Sequence, residues 1–336
     1  MITGKGITKT FRQRGSMLGA REVPALRGVD FSMEKGGAVS FIGESGCGKT
    51  TLGRILAGLE TYDSGEIAID GVPMSSLSHR QRQSHFRRIQ LIHQDPYSAL
   101  NPARTIHQTL DAPLTLRAKQ TGRSRSWIDE RAEELLGLVG LDPGYVLSRY
   151  PHQLSGGMRQ RVVIARALTV DPDMLVADEA TSMIDVSLRL GILALLKDLR
   201  DRLGVSVLFI THDVATARYI GLDGELYVIY RGQVVERGPV ESVIADPVHP
   251  YTQSLLSAIP VLHGLEVPGA ERVTPTEAID PNRKDTGCLF APRCPFRTDR
   301  CEAETPVLGN DGGAVQEHAC FHPQRRSVVA TPAVQS

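Results

Sequence analysis

The eight residues GESGCGKT, positions 43–50, constrain this chain more than any other stretch of its sequence. They follow the apolar run AVSFI, which predicts a buried strand, and they precede TLGRILAGLE, whose apolar residues recur at helical spacing. A glycine-rich turn between a strand and a helix lets backbone amides wrap a polyphosphate, because glycine has no side chain to hold the anion away. The sequence therefore predicts a phosphate-binding loop rather than a plain glycine turn.

The last two residues of this loop carry the expected chemistry. Lys49 can reach the outer phosphates of a bound polyphosphate, and the hydroxyl of Thr50 can bind magnesium. Cys47 lies inside the loop, but the sequence places no base beside it. We therefore expect Cys47 to be a small tolerated residue without a catalytic role.

Two adjacent acids follow a second apolar run, at residues 174–177. Asp178 and Glu179 would lie at the carboxyl edge of a parallel sheet, where open α/β folds gather their ligands. One carboxylate can hold magnesium, and the next can orient or deprotonate an attacking water. Alone, the pair would be interpreted as an acidic strand end. His212, which follows the apolar run 205–210, and Gln94, which lies before a turn, would alone be interpreted as ordinary polar residues. The phosphate loop upstream favours the functional interpretation.

A second candidate anion site occurs at LSGGMRQR, residues 154–161. Ser155 is placed to cap the helix predicted from VVIARAL, and Gly156 and Gly157 allow backbone amides to approach an anion closely. One chain would then carry two phosphate-binding elements.

Strands alternate with helices through most of the chain. Apolar runs at 38–42, 174–177 and 205–210 predict buried strands, and 187–203 predicts a helix, which together favour an α/β fold with a mostly parallel sheet. Residues 97–170 predict a helical insert. We place a domain at 1–250 and a small irregular C-terminal extension, with a frayed tail, at 251–336.

The overall charge argues against a nucleic-acid binder, and the hydropathy argues against a chain that spans a membrane. Lysine plus arginine equals aspartate plus glutamate at 38 each, so the basic excess of a typical nucleic-acid binder is missing, and the basic stretch at 79–88 is interpreted as a solvated face. No apolar run is long enough to cross a bilayer, and the first residues do not resemble a secretory signal. We expect a cytosolic chain that binds no nucleic acid.

The order and spacing of these motifs resemble the ATP-binding subunits of ABC transporters, from about residue 2 to residue 251. The resemblance implies a P-loop NTPase fold of the ABC nucleotide-binding type with a helical subdomain, and ATP and Mg²⁺ as ligands. Glu179, His212 and Gln94 are then catalytic, and Thr50, Gln94 and Asp178 hold Mg²⁺. The implied ATP-binding residues are Phe11, stacked on adenine, and Gly43, Glu44, Ser45, Gly46, Cys47, Gly48, Lys49, Thr50 and Thr51.

In that family the serine and glycines of the signature contact ATP held by the opposite subunit. Ser155, Gly156, Gly157 and Asp185 are therefore expected to act in trans, on the nucleotide of a second ABC ATPase subunit, identical or different.

Finer features are similar to the oligopeptide and dipeptide (peptide/nickel) permease group, namely HQDPYSALNP, HPYTQSLLSAIP and CLFAPRCPF. This resemblance implies two transmembrane permease subunits and an extracytoplasmic solute-binding protein as partners, with this chain peripheral on the cytoplasmic face of the cell membrane. Ala180 and Ile184 stand where the group usually has proline and leucine, outside the phosphate-contacting set, so an active ATPase is expected. The alternatives are a soluble ABC ATPase acting on nucleic acid or ribosomes, an importer of oligosaccharides, and a regulatory partner that does not hydrolyse ATP.

Four of the five cysteines fall in the C-terminal extension. Cys288, Cys294, Cys301 and Cys320 are more widely spaced than the paired cysteines of zinc ribbons. In the permease group a similar array ligates a [4Fe-4S] cluster, which the resemblance implies here; zinc, with His318 or His322 as further ligands, and free thiols are the alternatives. Because the array lies far in sequence from every catalytic motif, we expect its role to be structural.

Overall fold

A computed structural model of the chain describes residues 1–14, 20–221, 223–258, 273–276, 286–310 and 312–325. Its strands are β1 (Ile2–Arg14), β2 (Ala20–Met33), β3 (Ala38–Ile42), β4 (Ser64–Ile69), β5 (Val72–Pro73), β6 (Ile89–Ile92), β7 (Met174–Asp178), β8 (Ser206–Thr211), β9 (Glu225–Tyr230), β10 (Gln233–Pro239) and β11 (Glu317–His318). Its α-helices are α1 (Lys49–Leu56), α2 (His79–Phe86), α3 (Pro96–Ala99), α4 (Ile106–Thr121), α5 (Arg125–Leu138), α6 (Pro143–Val146), α7 (Gly156–Leu168), α8 (Val186–Leu203), α9 (Val214–Gly221), α10 (Val240–Ala245), α11 (Pro250–Ser257) and α12 (Asp299–Ala303).

The central sheet has seven strands in the order β11-β10-β9-β3-β8-β7-β6. The five strands from β9 to β6 are parallel, whereas β10 and β11 run antiparallel to their neighbours. All residues of β3, β7 and β8 are buried, as expected for parallel strands covered by helices on both faces. The α/β fold class predicted from the sequence is confirmed.

The register of the central sheet brings four strand ends to one edge. Ile42 pairs with Thr211, Ile210 with Asp178, and Ala177 with Ile92. The loops that leave β3, β8, β7 and β6 therefore start side by side, although the ends of β3 and β8, at Ile42 and Thr211, are 169 residues apart in sequence. This edge is where the sequence predicts the ligand.

A second sheet has the order β2-β1-β4-β5 and is antiparallel throughout. Side chains from its inner face, such as Phe31 and Ile67, share a core with α1 and with Phe41 of the central sheet. The sequence patterns did not predict this sheet. It places β1 and β2 beside the loop that follows β3.

Only helices and irregular segments occur between Ile92 and Met174, a range that the structure describes throughout. Helices α4, α5 and α7 pack their buried leucines, valines and isoleucines into a core that continues onto the central sheet. Helix α4 runs through Pro113, although proline lacks the backbone donor of a helix interior. Helix α2, within the basic stretch, buries no side chain.

The C-terminal residues pack against the end of the central sheet formed by β9 and β10. Strand β11 extends that sheet next to β10, and Leu289, Phe290 and Cys294 lie in one core with α10, α11 and strands β9 and β10. The predicted extension is therefore not a separate body at these positions, because its apolar side chains complete the core of the main domain.

Candidate ATPase site

The phosphate loop, residues 43–50, leaves β3 and leads into α1. Gly48 has φ of 107°, and a Cβ atom there would overlap the carbonyl oxygen of Ala25, so both conformation and space require glycine. The first turn of α1 has no side-chain cap, which leaves its backbone amides available to an anion. The loop thus has the backbone form that a phosphate site needs.

Lys49 is held inside this loop with 4% of its surface exposed. Its Nζ donates to the carbonyl oxygens of Gly43, at 2.8 Å, and Glu44, at 3.0 Å. These contacts keep the ammonium group under the loop, where it would meet the outer phosphates of a nucleotide.

An open cleft of about 430 Å³ lies over the loop. Phe11, which is 38% exposed, forms an apolar wall together with residues 23–25 of β2, while Gln94 and Glu179 lie at the polar end. An aromatic ring at one end and a phosphate loop at the other suit a nucleotide, with the base stacked on Phe11. Phe11 thus lies at the cleft, where its predicted role requires it.

Asp178 ends β7 beside the loop and is 7% exposed. The hydroxyl of Thr50 donates to its Oδ1 at 3.0 Å. Burial raises the pKa of Asp178, and the neighbouring charge of Glu179 adds to this, while the hydrogen bond from Thr50 opposes it. A hydroxyl and a carboxylate in contact form the hard oxygen set that Mg²⁺ prefers, so these two residues fit the ion that the family implies.

Glu179 is held between two of the predicted catalytic residues. Its carboxylate accepts from Nε2 of Gln94 at 3.0 Å and lies 3.3 Å from Nδ1 of His212. Its backbone has φ of 47°, a left-handed conformation that is unusual for glutamate, and its amide donates to the carbonyl of Ile210. The three residues predicted as catalytic therefore meet at one point, and two of them, Gln94 and Glu179, line the cleft.

The signature residues lie elsewhere on the chain. Ser155 caps α7, with its Oγ accepting from the amide of Met158 at 3.3 Å, and both Ser155 and Asp185 are exposed. Among described residues, the lining of the ATP cleft includes nothing from 154–161 or 182–185. The chain thus presents two candidate phosphate-binding surfaces.

The four C-terminal cysteines line one pocket, together with His249, His322 and aromatic side chains. Burial raises the pKa of three of these thiols, those of Cys288, Cys294 (to about 11) and Cys320 (to about 12), and the neighbouring sulfurs raise each further. Within the described residues, no group of three or more Cys, His, Asp or Glu side chains is arranged closely enough to hold a metal ion. The donors therefore share a pocket without forming a ready-made metal site.

The cysteine segment, which we define as residues 286–310 and 312–325, directly contacts the phosphate loop. The guanidinium group of Arg293 pairs with both carboxylate oxygens of Glu44, at 2.9 and 3.0 Å. The cysteine array is far from the catalytic motifs in sequence, but the segment that holds it reaches the phosphate loop, because folding brings together residues 249 positions apart. Its structural role stays a prediction. No motif in the sequence marks this contact.

In the described part of the chain, no helix has the length and apolar character needed to cross a membrane.

Two family models match successive regions of the chain. Residues 26–182 match the family model described as ABC transporter, and residues 235–301 match the one described as oligopeptide/dipeptide transporter, C-terminal region. The di/tripeptide transport ATP-binding protein DppF of Pseudomonas aeruginosa is 38% identical over 309 residues, covering 92% of this chain and 94% of that protein. The oligopeptide transport ATP-binding protein AppF of Bacillus subtilis is 38% identical over 287 residues, covering 85% of each.

A solved structure shows the same fold. A dimeric ATP-binding cassette in a post-hydrolysis state, bound to ADP and phosphate, matches with a TM-score of 0.62 and 30% identity, covering 71% of this chain and 99% of that one.

Proposed function

Since the chain belongs to the ABC transporter family and is an ATPase of its dipeptide and oligopeptide group, we propose that its hydrolysis of ATP powers peptide import through membrane subunits made by other chains. The observation that carries the ATPase part is the meeting of Lys49, Thr50, Asp178 and Glu179 at one edge of the central sheet.

The polar residues in and beside the cleft have separate roles in ATP hydrolysis. Lys49 and the amides at the start of α1 bind the outer phosphates, while Thr50, Asp178 and Gln94 hold Mg²⁺, which neutralises charge on the phosphate oxygens. Glu179 accepts a proton from the attacking water. His212 and Gln94 keep the carboxylate of Glu179 facing the cleft, through the contacts of 3.3 and 3.0 Å.

The signature serves a different nucleotide. Ser155, Gly156, Gly157 and Asp185 are proposed to contact ATP held by a second ABC subunit. Two observations support this: Ser155 and Asp185 are exposed, and the signature is absent from the described lining of the chain's own cleft. ATP would then join two subunits, and hydrolysis would remove the phosphate that both contact.

A groove outside the ATP cleft offers a surface for a membrane partner. It has a volume of about 400 Å³ and combines apolar side chains with basic ones, including Leu59, Phe86, Arg87 and Arg166. Leu59 is 53% exposed, although it is apolar. We propose that the two permease subunits bind the chain at such a surface, which places it at the cytoplasmic face of the membrane, and that an extracytoplasmic binding protein delivers the solute.

The C-terminal region favours peptide over oligosaccharide as the solute, because residues 235–301 match the model of oligopeptide and dipeptide transporters. Uptake of labelled dipeptide, oligopeptide and oligosaccharide by cells with and without this chain tests the proposal. Peptide uptake should require the chain and be lost in the Glu179→Gln variant. Uptake of oligosaccharide alone would contradict the peptide assignment.

We further propose that Cys288, Cys294, Cys301 and Cys320 ligate a [4Fe-4S] cluster. Four thiols around one pocket supply the donor set that such a cluster needs. Because the pKa values of Cys288, Cys294 and Cys320 are raised, these thiols would release protons on loading. The four sulfur atoms would also have to come closer together than they lie in the structure, which couples loading to folding of the segment.

Anaerobically purified protein should be brown and contain iron and sulfide, and Cys294→Ser should bleach it and make residues after 286 easier to cleave. Cys47→Ser, outside the pocket, is the matched control and should keep the colour. Colourless protein with one equivalent of zinc would reject the cluster.

A further inference from the structure

Glu44, the second residue of the phosphate loop, is held by the C-terminal part of the chain through its side chain. Its carboxylate makes a bidentate ion pair with Arg293, whose Nη1 and Nη2 donate to the two carboxylate oxygens at 2.9 and 3.0 Å. Arg293 lies in a short 3₁₀ turn, Ala291–Arg293, and its side chain is only 12% exposed, against 33% for Glu44. Such a shielded, bidentate pair is stronger and more directional than an exposed one.

Glu44 is also held through its backbone. Its amide donates to the hydroxyl of Tyr251 at 2.8 Å, and Tyr251 is 1% exposed. The ring of Tyr251 packs against Tyr230 and Phe290, with centroids 4.6 and 5.5 Å away. The guanidinium carbon of Arg293 lies within 6 Å of the centroids of these same two rings. One aromatic cluster thus supports both contacts to Glu44.

The position of Glu44 matters for the lysine beneath the loop. The carbonyl of Glu44 accepts from Nζ of Lys49 at 3.0 Å, so its backbone helps to place the ammonium group. Its carboxylate, by contrast, adds a negative charge to a loop that must accept a polyphosphate. An unpaired carboxylate there would repel the ligand, and the paired guanidinium cancels that repulsion.

We infer that Arg293 is a positioning residue for nucleotide binding, which neutralises Glu44 and holds the phosphate loop in the form that accepts ATP. The inference rests on the proposed ATP site. It gives the cysteine segment a part in the ATPase cycle, because Arg293 stands directly before Cys294.

The test compares Arg293→Gln, Glu44→Gln and the double variant by their Kd for a fluorescent ATP analogue and by kcat and KM for ATP. Arg293→Gln keeps some of the CH₂ groups that pack against Tyr230 and Phe290 and removes the positive charge. Arg293→Gln should bind ATP about tenfold more weakly, equal to about 1.4 kcal/mol, with kcat at saturating ATP within about twofold of wild type.

Removal of the opposing charge should restore binding. Glu44→Gln alone completes the double-mutant cycle, and Glu44→Gln with Arg293→Gln should return to within about threefold of the wild-type Kd, a coupling that only interacting residues show. Arg293→Lys should recover part of the lost ATP affinity, since lysine keeps the positive charge but cannot make both hydrogen bonds of the guanidinium group. Arg297→Ala, an exposed position in the same segment, is the matched control and should bind ATP normally.

Two outcomes overturn the inference: unchanged ATP affinity in Arg293→Gln, or a double variant as weak as Arg293→Gln. The free energy of unfolding of both variants is measured beside Kd, because Glu44→Gln can also relieve a stability loss caused by the unpaired carboxylate. A double variant that recovers stability but not ATP affinity rejects the inference. Lys49→Ala separates this inference from the ATP site itself. Loss of binding in Lys49→Ala with normal binding in Arg293→Gln rejects the inference alone, whereas normal binding in Lys49→Ala rejects the site.

Discussion

Glu179 combines the features expected of a general base. Its backbone is strained at φ of 47°, its side chain is 17% exposed, and two polar side chains hold its carboxylate. A strained residue persists only where the surroundings determine its conformation, which is common at functional sites. The sequence could identify this acid and its partners because each follows an apolar strand; it could not identify Arg293 or Tyr251, which no local pattern connects to the loop.

Glu179→Gln should bind ATP as wild type does and hydrolyse it at least about a hundredfold more slowly, since the amide keeps the shape but cannot accept a proton. Phosphate release and nucleotide affinity measured on the same preparation check this. Glu130→Gln, an exposed acid on α5, should match wild type in both. Normal turnover by Glu179→Gln would show that another group is the base.

Elements of the central sheet were predictable, because fully buried parallel strands appear as short continuous apolar runs. Strands β3, β7 and β8 and helix α8 lie within two residues of the patterns that predict them, and α7 begins directly after Ser155, its predicted cap. The antiparallel sheet was not predicted, since β1 carries polar and charged side chains along most of its length. Strand β11 has only two residues, and its pairing with β10 depends on tertiary contacts rather than on its own sequence.

A buried carboxylate on β10 supports the attachment of the C-terminal residues. Glu236 is fully buried and accepts from the amides of Val248, at 2.7 Å, and His249, at 3.0 Å, and from the side chain of Gln316. Each buried donor left without an acceptor costs roughly 1–3 kcal/mol. Burial raises the pKa of Glu236, and the hydrogen bonds from these donors oppose that shift.

Glu236→Ala should lower the free energy of unfolding by about 3 kcal/mol or more, because three donors lose their acceptor. Denaturant unfolding gives the size of the loss, and limited proteolysis should show cleavage after residue 286. The matched control is Glu317→Ala, which removes an ion pair with Arg237 whose two side chains are 27% and 28% exposed, and which should cost less than Glu236→Ala because only one partner is left unpaired and water can still reach it. Equal losses in the two variants would contradict the role given to Glu236.

At the scale of the whole molecule, we propose that the two phosphate-binding surfaces of one chain serve different nucleotides. The loop after β3 lines the chain's own cleft, whereas Ser155 at the start of α7 is exposed and is not among the described residues that line that cleft. The affinity of a single chain for ATP should then be independent of the signature.

A titration of Mg·ATP into dilute Ser155→Arg protein, beside wild type and Lys49→Ala, tests this account most directly. Ser155→Arg should keep the wild-type Kd within about twofold while turnover in the assembled transporter is lost, because a bulky cation at the helix start blocks only the partner's phosphate. Lys49→Ala should lose at least about tenfold in affinity, since a charged contact to phosphate disappears. A Kd that rises as much in Ser155→Arg as in Lys49→Ala would show that both surfaces bind the same nucleotide and would contradict the account.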